Sequence, residues 1–550
     1  MSKTKLVPIG VDNFKEVIES DYCYVDKTDL IDDILNRGAK VNLFPRPRRF
    51  GKTLTISMLE NYFNIKKKEE NKDLFKGLKI ESSSSMVKET QGKYPVISLN
   101  LKSVKDLSWE MELNKLKEKM SELYYENIEV FDTLNETEKT DYKAVLSKNA
   151  SSTVYQLSLK KLSQYLMRYY KQPVIILIDE YDAPIENGFI NGFYDDVINF
   201  MRNFLGEALK TNDNLKFACL TGILRVSKES IFSGLNNIKI YSILDKQYSE
   251  YFGFLPQEVD ILLDEYGVEN KEEVKKWYDG YNFGGTEIYN PWSILNVLES
   301  KIVQPYWVNT GGTSLLENML KNANGDVKND LENLIEGKNV TALLNENVVY
   351  SEIDGSRNNI LNFLLMCGYL TLVERERNEE IITGKLKIPN LEVKTAFTSI
   401  VNRWFEINNA RKEVTDFQRA ILKNDKELAE IILNQLMLKS ISYFDNVENF
   451  YHGFVLGLLV DMGNSYIVES NRESGYGRYD MKIEKKDGTL GIILEFKTVQ
   501  DEDKMEEMAF KALEQIGEKE YYNDMKKRGI TNIFKYGIAF NNKKVVMKNA

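Results

Sequence analysis

Two short stretches of the chain carry residue types at spacings suited to phosphate chemistry. The first is FPRPRRFGKT at residues 44–53, where a strand-like VNLF runs into Gly51, Lys52 and Thr53 at the head of the helical pattern GKTLTISMLENYF. Backbone N–H groups at such a helix start favour phosphate. The lysine there reaches the β- and γ-phosphates of a nucleotide, and the threonine hydroxyl ligates magnesium. The loop lacks one part of the usual G-x-x-x-x-G-K-[ST] pattern, because the position of its first glycine is Arg46. Without that glycine the backbone closes less tightly over the β-phosphate. Arg46, Arg48 and Arg49 can offset the loss by touching phosphate themselves, or they can face nucleic acid or a neighbouring part of the chain. The expectation is a loop that binds nucleotide and hydrolyses it more slowly than a motor ATPase does.

A partner for that loop is the buried run VIILIDEYD, which ends in Asp179 and Glu180 and so sets one carboxylate near the magnesium and another near an attacking water. LTGILRVSKESIFSGLNN adds Thr221 and Arg225 as candidate sensors of the γ-phosphate, with a surface or interdomain ion pair as the alternative for Arg225.

The second stretch is GYGRYDMKIEKKDGTLGIILEFKTV. It puts Asp480 on one expected strand and Glu495 and Lys497 on the next, across the turn KKDGT. Side chains alternate along a strand, so Glu495 and Lys497 share a face that Asp480 approaches from its neighbour. Two carboxylates and a lysine suit phosphodiester hydrolysis: the acids hold one or two Mg²⁺ ions, with Mn²⁺ as a substitute, and the lysine orients the water or steadies the pentacovalent phosphate. Taken alone, the spacing describes a hairpin with alternating exposed charges equally well. Glu448, on a helix before these strands, is a candidate further metal ligand. Glu473 and Arg478 flank Asp480 as substrate contacts or as polar loop residues.

The elements around these residues fit that use. Short apolar runs at KVNLF, 94–101, 173–182 and 215–224 alternate with amphipathic stretches at 109–125 and 154–170, a pattern that means a parallel sheet covered on both faces. From about 250 to 400 aromatic punctuation replaces the strand signal, which suggests a mainly helical unit with a few short strands. After a helical stretch from 405 to 440, a second α/β pattern follows: helix 446–461, strands 465–470, 478–485 and 490–497, helix 502–525 and strand 534–541. The expected fold class is therefore α/β. It comprises an N-terminal P-loop-type parallel sheet at 1–250, a helical coupling region at 251–404 and a C-terminal α/β domain at 405–550.

Composition narrows the chemistry. A single histidine, His452, rules out reactions that need two within one chain, and its setting in ENFYHGFVLGLL favours packing over a place beside a site. Three widely spaced cysteines give no disulfide framework and no zinc knuckle, which points to a reducing cytoplasm. The net charge of −10 argues against a broadly basic nucleic-acid surface and leaves such contacts to local patches. No apolar run approaches the ~20 residues that span a bilayer, so no membrane partner is expected.

A family resemblance joins the two stretches. YVDKTDLIDDIL, NLFPRPRRFGKTLTISMLENYF, PVIILIDEYDAPI, LTGILRVSKESIFSGLNN, YDGYNFGGTEIYNPWSIL and YWVNTGG resemble the successive motifs of the bacterial AAA-ATPase-like family, whose members commonly carry a C-terminal PD-(D/E)XK nuclease domain. The missing first glycine is part of that family's pattern. The resemblance implies an ATP-regulated, Mg²⁺-dependent nuclease acting on DNA before RNA, and it assigns Gln515 a site-supporting role. A place in defence or mobile-element biology would suit such an architecture, and a homo-oligomer is compatible with it. The competing reading is a nucleotide-dependent signalling or assembly switch whose nuclease-like domain binds without cleaving. A motor on nucleic acid is weaker, since no helicase motif is evident.

Overall fold

A computed structural model of the chain describes residues 4–37, 39–210, 212–225, 237–307, 325–345, 356–378, 381–397, 411–440, 448–460, 462, 465–470, 473–474 and 477–550. It divides into two units, Met1–Lys394 and Thr395–Ala550.

The first unit is built on a parallel sheet of β1 (Val41–Pro45), β2 (Val96–Asn100), β3 (Val174–Asp179), β4 (Leu215–Gly222) and β5 (Ile238–Ile240), in the order β2-β3-β4-β1-β5. β1 and β3 are buried along their whole length, as strands covered on both faces must be. Ile175 and Leu177 of β3 pack with Ile56, Leu59, Tyr62 and Phe63 of the helix Lys52–Phe63. Ile176 and Ile178, equally buried, point to the opposite face. Burying each such side chain is worth roughly 1.5–3 kcal/mol, so the run comfortably offsets ending the strand on a buried carboxylate. β5 escaped the sequence reading because three residues carry no periodicity.

All five strands run the same way, so their carboxyl ends gather at one edge, the usual place for ligands in an open α/β sheet. The register sets Asn100 beside Asp179 and Phe44 beside Thr221. That edge therefore collects the loop after β1, the acids after β3 and the turn after β4.

The middle of the chain is helical with short strands, as its punctuation suggested. Helices Pro256–Glu265, Lys271–Tyr278 and Pro291–Ser300 pack through Val259, Leu262, Val274, Tyr278, Ile294 and Val297. The hairpin β6 (Tyr281–Phe283) and β7 (Thr286–Ile288) joins the second of them to the third. A three-stranded antiparallel sheet, β8 (Val340–Leu343), β9 (Thr371–Asn378) and β10 (Ile381–Lys387), has β10 at its centre.

The second unit is a mixed sheet of β11 (Tyr466–Ser470), β14 (Met481–Lys485), β15 (Gly491–Thr498), β16 (Ile533–Asn541) and β17 (Lys544–Asn549), in that order, beside a small pair β12 (Glu473–Ser474) and β13 (Gly477–Arg478). Its one parallel pairing is β15 with β16. Met481, Ile483, Ile492, Leu494 and Phe496 pack with the helices Arg411–Leu422, Lys426–Ser440 and Glu448–Val460, while Ile493 faces Ile516 of the helix Met505–Glu518 on the other side. Two expected elements are broken. The strand expected over 478–485 parts between β13 and β14, leaving Asp480 in the gap. The helix expected over 502–525 stops at Glu518 and resumes as Asn523–Lys527, because Glu520 turns to φ 53° as the chain carries Tyr521 into the core.

Candidate functional site

The loop after β1 closes without its glycine because the left-handed conformations fall elsewhere, at Arg49 (φ 69°) and Gly51 (φ 78°). A β-carbon at Gly51 meets no neighbour, so that position needs glycine for its backbone angle alone. Arg46 donates its N–H to the Gly222 carbonyl at 2.9 Å. Its guanidinium donates to the carbonyls of Pro45 (2.8 Å), Tyr241 (2.6 Å) and Tyr248 (3.2 Å), and lies 4.8 Å from the ring centroid of Phe252. Expected at phosphate, Arg46 is instead a fully buried brace: the hydrogen bonds of a planar fork are best satisfied here by fixed carbonyls. Burial presses its pKa downward.

Lys52 crosses the loop to the carbonyls of Arg46 (3.1 Å) and Pro47 (3.0 Å), almost wholly buried, and that burial lowers its pKa against the pull of Glu180 and Asp179. Thr53 Oγ1 donates to Asp179 Oδ2 at 2.8 Å, joining the two ends of the expected magnesium pair. The same oxygen accepts from Asn100 Nδ2 at 2.9 Å, and the other accepts from Thr221 Oγ1. Burial nonetheless raises the pKa of Asp179 above the ordinary carboxylate range. A hydroxyl and a carboxylate held this closely fit a shared divalent cation. Glu180 follows in a left-handed conformation at φ 52°, an unfavourable backbone state for a residue with a side chain, which here faces it toward the same edge.

Thr221, expected as a γ-phosphate sensor, thus sits on Asp179. The Nε of Arg225 has no hydrogen-bond partner among the described residues. Asp182, not anticipated, clamps the turn after β4 by accepting the N–H groups of Ile223 (2.8 Å) and Leu224 (2.9 Å), and its burial pushes it up to about 6.

The rest of the loop is gripped from the sheet domain and, above all, from the middle of the chain. Arg48 Nη2 meets Glu186 Oε1 at 2.8 Å, and Glu186 also holds Lys105 at 3.0 Å. The Arg48 carbonyl accepts Trp307 Nε1 at 3.1 Å. The Arg49 guanidinium lies 4.1 Å from the ring of Trp292, and Phe50 packs edge-on against Tyr281 with centroids 5.1 Å apart. Pro47 approaches Gly368 so closely that a β-carbon there would lie 2.8 Å from its own. Behind these contacts, Glu392 accepts the N–H groups of Tyr306 (2.7 Å) and Trp307 (2.8 Å) and the Ser293 hydroxyl (2.8 Å); burial pushes it up to about 7. The aromatic residues were visible in the sequence, but nothing in their spacing ties them to a loop some 240 residues earlier.

In the second unit Asp480 and Glu495 are brought together. Asp480 Oδ2 accepts the Phe496 N–H at 2.7 Å, and the Asp480 N–H points to Glu495 Oε2 at 3.4 Å. Lys497 Nζ lies 3.5 Å from Glu495 Oε1, which also accepts from Gln515 Nε2. Gln515 in turn donates to the Tyr521 hydroxyl at 3.1 Å. Glu495 is buried, and burial together with the Asp480 carboxylate pushes its pKa up to about 8. Two carboxylates crowded in this way are suited to holding a divalent cation between them. Among the described residues no third His, Cys, Asp or Glu completes a metal cluster. Glu448 opens the helix Glu448–Val460, which also contains His452. Both of those side chains, and those of Glu473 and Arg478, lie outside the described residues.

Residues 8–232 match the family described as a predicted AAA-ATPase, and residues 446–550 match the PD-(D/E)XK nuclease superfamily. A protein of Azotobacter chroococcum mcd 1, described as an uncharacterized protein in the vnfD 5′ region, is 26% identical over 540 residues, covering 96% of this chain and 95% of its own. No described helix is long and apolar enough to cross a membrane.

Proposed function

We infer that this chain, which carries an AAA-ATPase-like domain and a PD-(D/E)XK nuclease-superfamily domain, is a nucleotide-regulated endonuclease that cuts DNA with a divalent cation. The observation that carries this reading is the convergence of Asp480, which precedes β14, with Glu495 and Lys497 of the central strand β15. A divalent cation bound there supplies Lewis-acid activation of a water and of the phosphoryl oxygen. Asp480 and Glu495 hold its charge, Gln515 fixes the Glu495 carboxylate, and the Lys497 ammonium faces the phosphate on which charge develops.

In the first unit Lys52 takes the β- and γ-phosphates of ATP, Thr53 and Asp179 the magnesium, and Glu180 the attacking water. The N–H groups at Gly51 and the helix start contribute the anion site, while Arg48 and Arg49 stand at its rim. ATP occupancy is read through the loop that the middle region grips, which sets the nuclease on or off.

Cleavage of plasmid and single-stranded DNA with Mg²⁺ or Mn²⁺, with and without ATP, tests this reading. Asp480→Ala is expected to abolish cutting while ATP binding stays intact. Lys52→Ala is expected to abolish ATP binding and the ATP dependence of cutting. Cutting by Asp480→Ala at the parent rate would overturn the nuclease reading and leave a nucleotide switch.

A further inference from the structure

Several basic side chains around the carboxylate pair are already neutralised. Arg528 pairs with Glu484, Lys482 with Glu469 and Glu484, Lys544 with Glu502 and Lys548 with Glu506. Lys526 and Lys535 differ: among the described residues no carboxylate lies within ion-pair distance of either, in a chain whose net charge is −10. Both ammonium groups lie against one ring, 4.4 Å and 4.2 Å from the centroid of Tyr522. Two like charges sharing a ring repel each other, and an anion between them relieves the repulsion.

Their position relates them to Glu495 along two routes. The residue before Tyr522 is Tyr521, buried and joined through Gln515 to Glu495. Lys535 pairs in β16 with Ile493, two residues before Glu495 on β15, a distance of about 7 Å along the strand. Alternation places Lys535, Ile493 and Glu495 on the same face.

We propose that Tyr522, Lys526 and Lys535 form a docking site for the phosphodiester backbone of the nucleic-acid strand that the carboxylate pair cuts. The two lysines each neutralise one phosphate and Tyr522 offers its ring to a sugar or base, the combination by which single strands are held without sequence preference. The assignment rests on the nuclease reading for the identity of the strand's target, and it is tested by binding rather than by cutting.

The experiment uses the full chain in EDTA, with one labelled oligonucleotide sequence made as single-stranded DNA and as RNA, and with affinity followed against salt. Lys526→Gln with Lys535→Gln is expected to weaken binding of the preferred polymer about tenfold near physiological salt, and to flatten the slope of log K against log salt by about 1.4, two phosphates at about 0.7 each. Arg528→Gln, whose charge is already paired, is expected to change affinity less than twofold. Unchanged thermal midpoint and ATP affinity in the double variant show that it is folded, and Tyr522→Leu, which leaves both charges, should still lose several-fold. A double variant with the parent's affinity and slope overturns the site, whether or not the parent cuts DNA. Displacement of the oligonucleotide by inorganic phosphate at equal phosphate concentration also overturns it, in favour of a small-anion site. A parent that binds with the expected slope yet cuts nothing keeps the docking site and removes the nuclease reading.

Discussion

The loop after β1 and the carboxylate pair of Asp480 and Glu495 treat charge in opposite ways. At the loop every residue from Arg46 to Phe50 is tied down: Arg46 by carbonyls, Pro47 by a close approach to Gly368, Arg48 by Glu186 and Trp307, Arg49 by Trp292 and Phe50 by Tyr281. At the pair, two acids are pressed together with one lysine to relieve them, and burial raises the cost. The first arrangement maintains a shape; the second maintains an electrostatic strain that a cation relieves. The difference teaches that losing a charge at the loop should cost stability, while losing one at the pair should cost activity alone.

The largest effect is expected at the pair. Glu495→Gln should lower cleavage at least 10³-fold, and without divalent cation it should leave the thermal midpoint near neutral pH unchanged or raise it, because burial and the Asp480 carboxylate, which push Glu495 up to about 8, already favour its neutral form there, and the amide oxygen still accepts from Gln515. A midpoint several degrees lower would break the comparison. Arg46→Ala should do the reverse, costing about 3 kcal/mol by stranding the Tyr241 and Tyr248 carbonyls and opening a cavity, as measured by chemical denaturation.

The third test is one of pH. Glu392 has a folded-state pKa of about 7 against an ordinary value of 4.5, so between those values the folded chain holds a proton that the unfolded chain has released. Its contribution to stability is therefore greatest below about pH 4.5, falls as pH rises to about 7, and is constant above. Glu392→Gln should remove up to about 3 kcal/mol of the stability that the parent loses between pH 5 and pH 8, seen in paired melts. The smallest effect is Trp307→Phe, which deletes one hydrogen bond to the Arg48 carbonyl. It should weaken ATP binding by about 1 kcal/mol, roughly fivefold, with little change in overall stability.

What the sequence made legible followed from period and position. Continuous apolar runs gave the parallel sheet, Gly51-Lys52-Thr53 and Asp179 fell where such a sheet gathers its strand ends, and alternation put Glu495 and Lys497 on one face. The illegible parts depend on contacts across long stretches of chain. The inward turn of Arg46 is set by Tyr241 and Tyr248, some 200 residues away, and an arginine in a glycine-lysine loop looks the same in sequence whether it faces phosphate or core. The sequence puts Asp480 on an expected strand, across the turn KKDGT from Glu495. In the fold its carboxylate takes the Phe496 N–H instead, and the strand begins one residue later.

The grip of the middle region on the loop has an optical consequence. Among the described residues two tryptophans touch it, Trp292 beneath the Arg49 guanidinium and Trp307 through its indole N–H to the Arg48 carbonyl. Indole emission responds to a nearby cation and to the loss of a hydrogen bond. The unlabelled protein therefore carries its own fluorescent reporter at the loop, and a nucleotide that shifts either arginine would be visible as a change in intensity or wavelength during the titration itself.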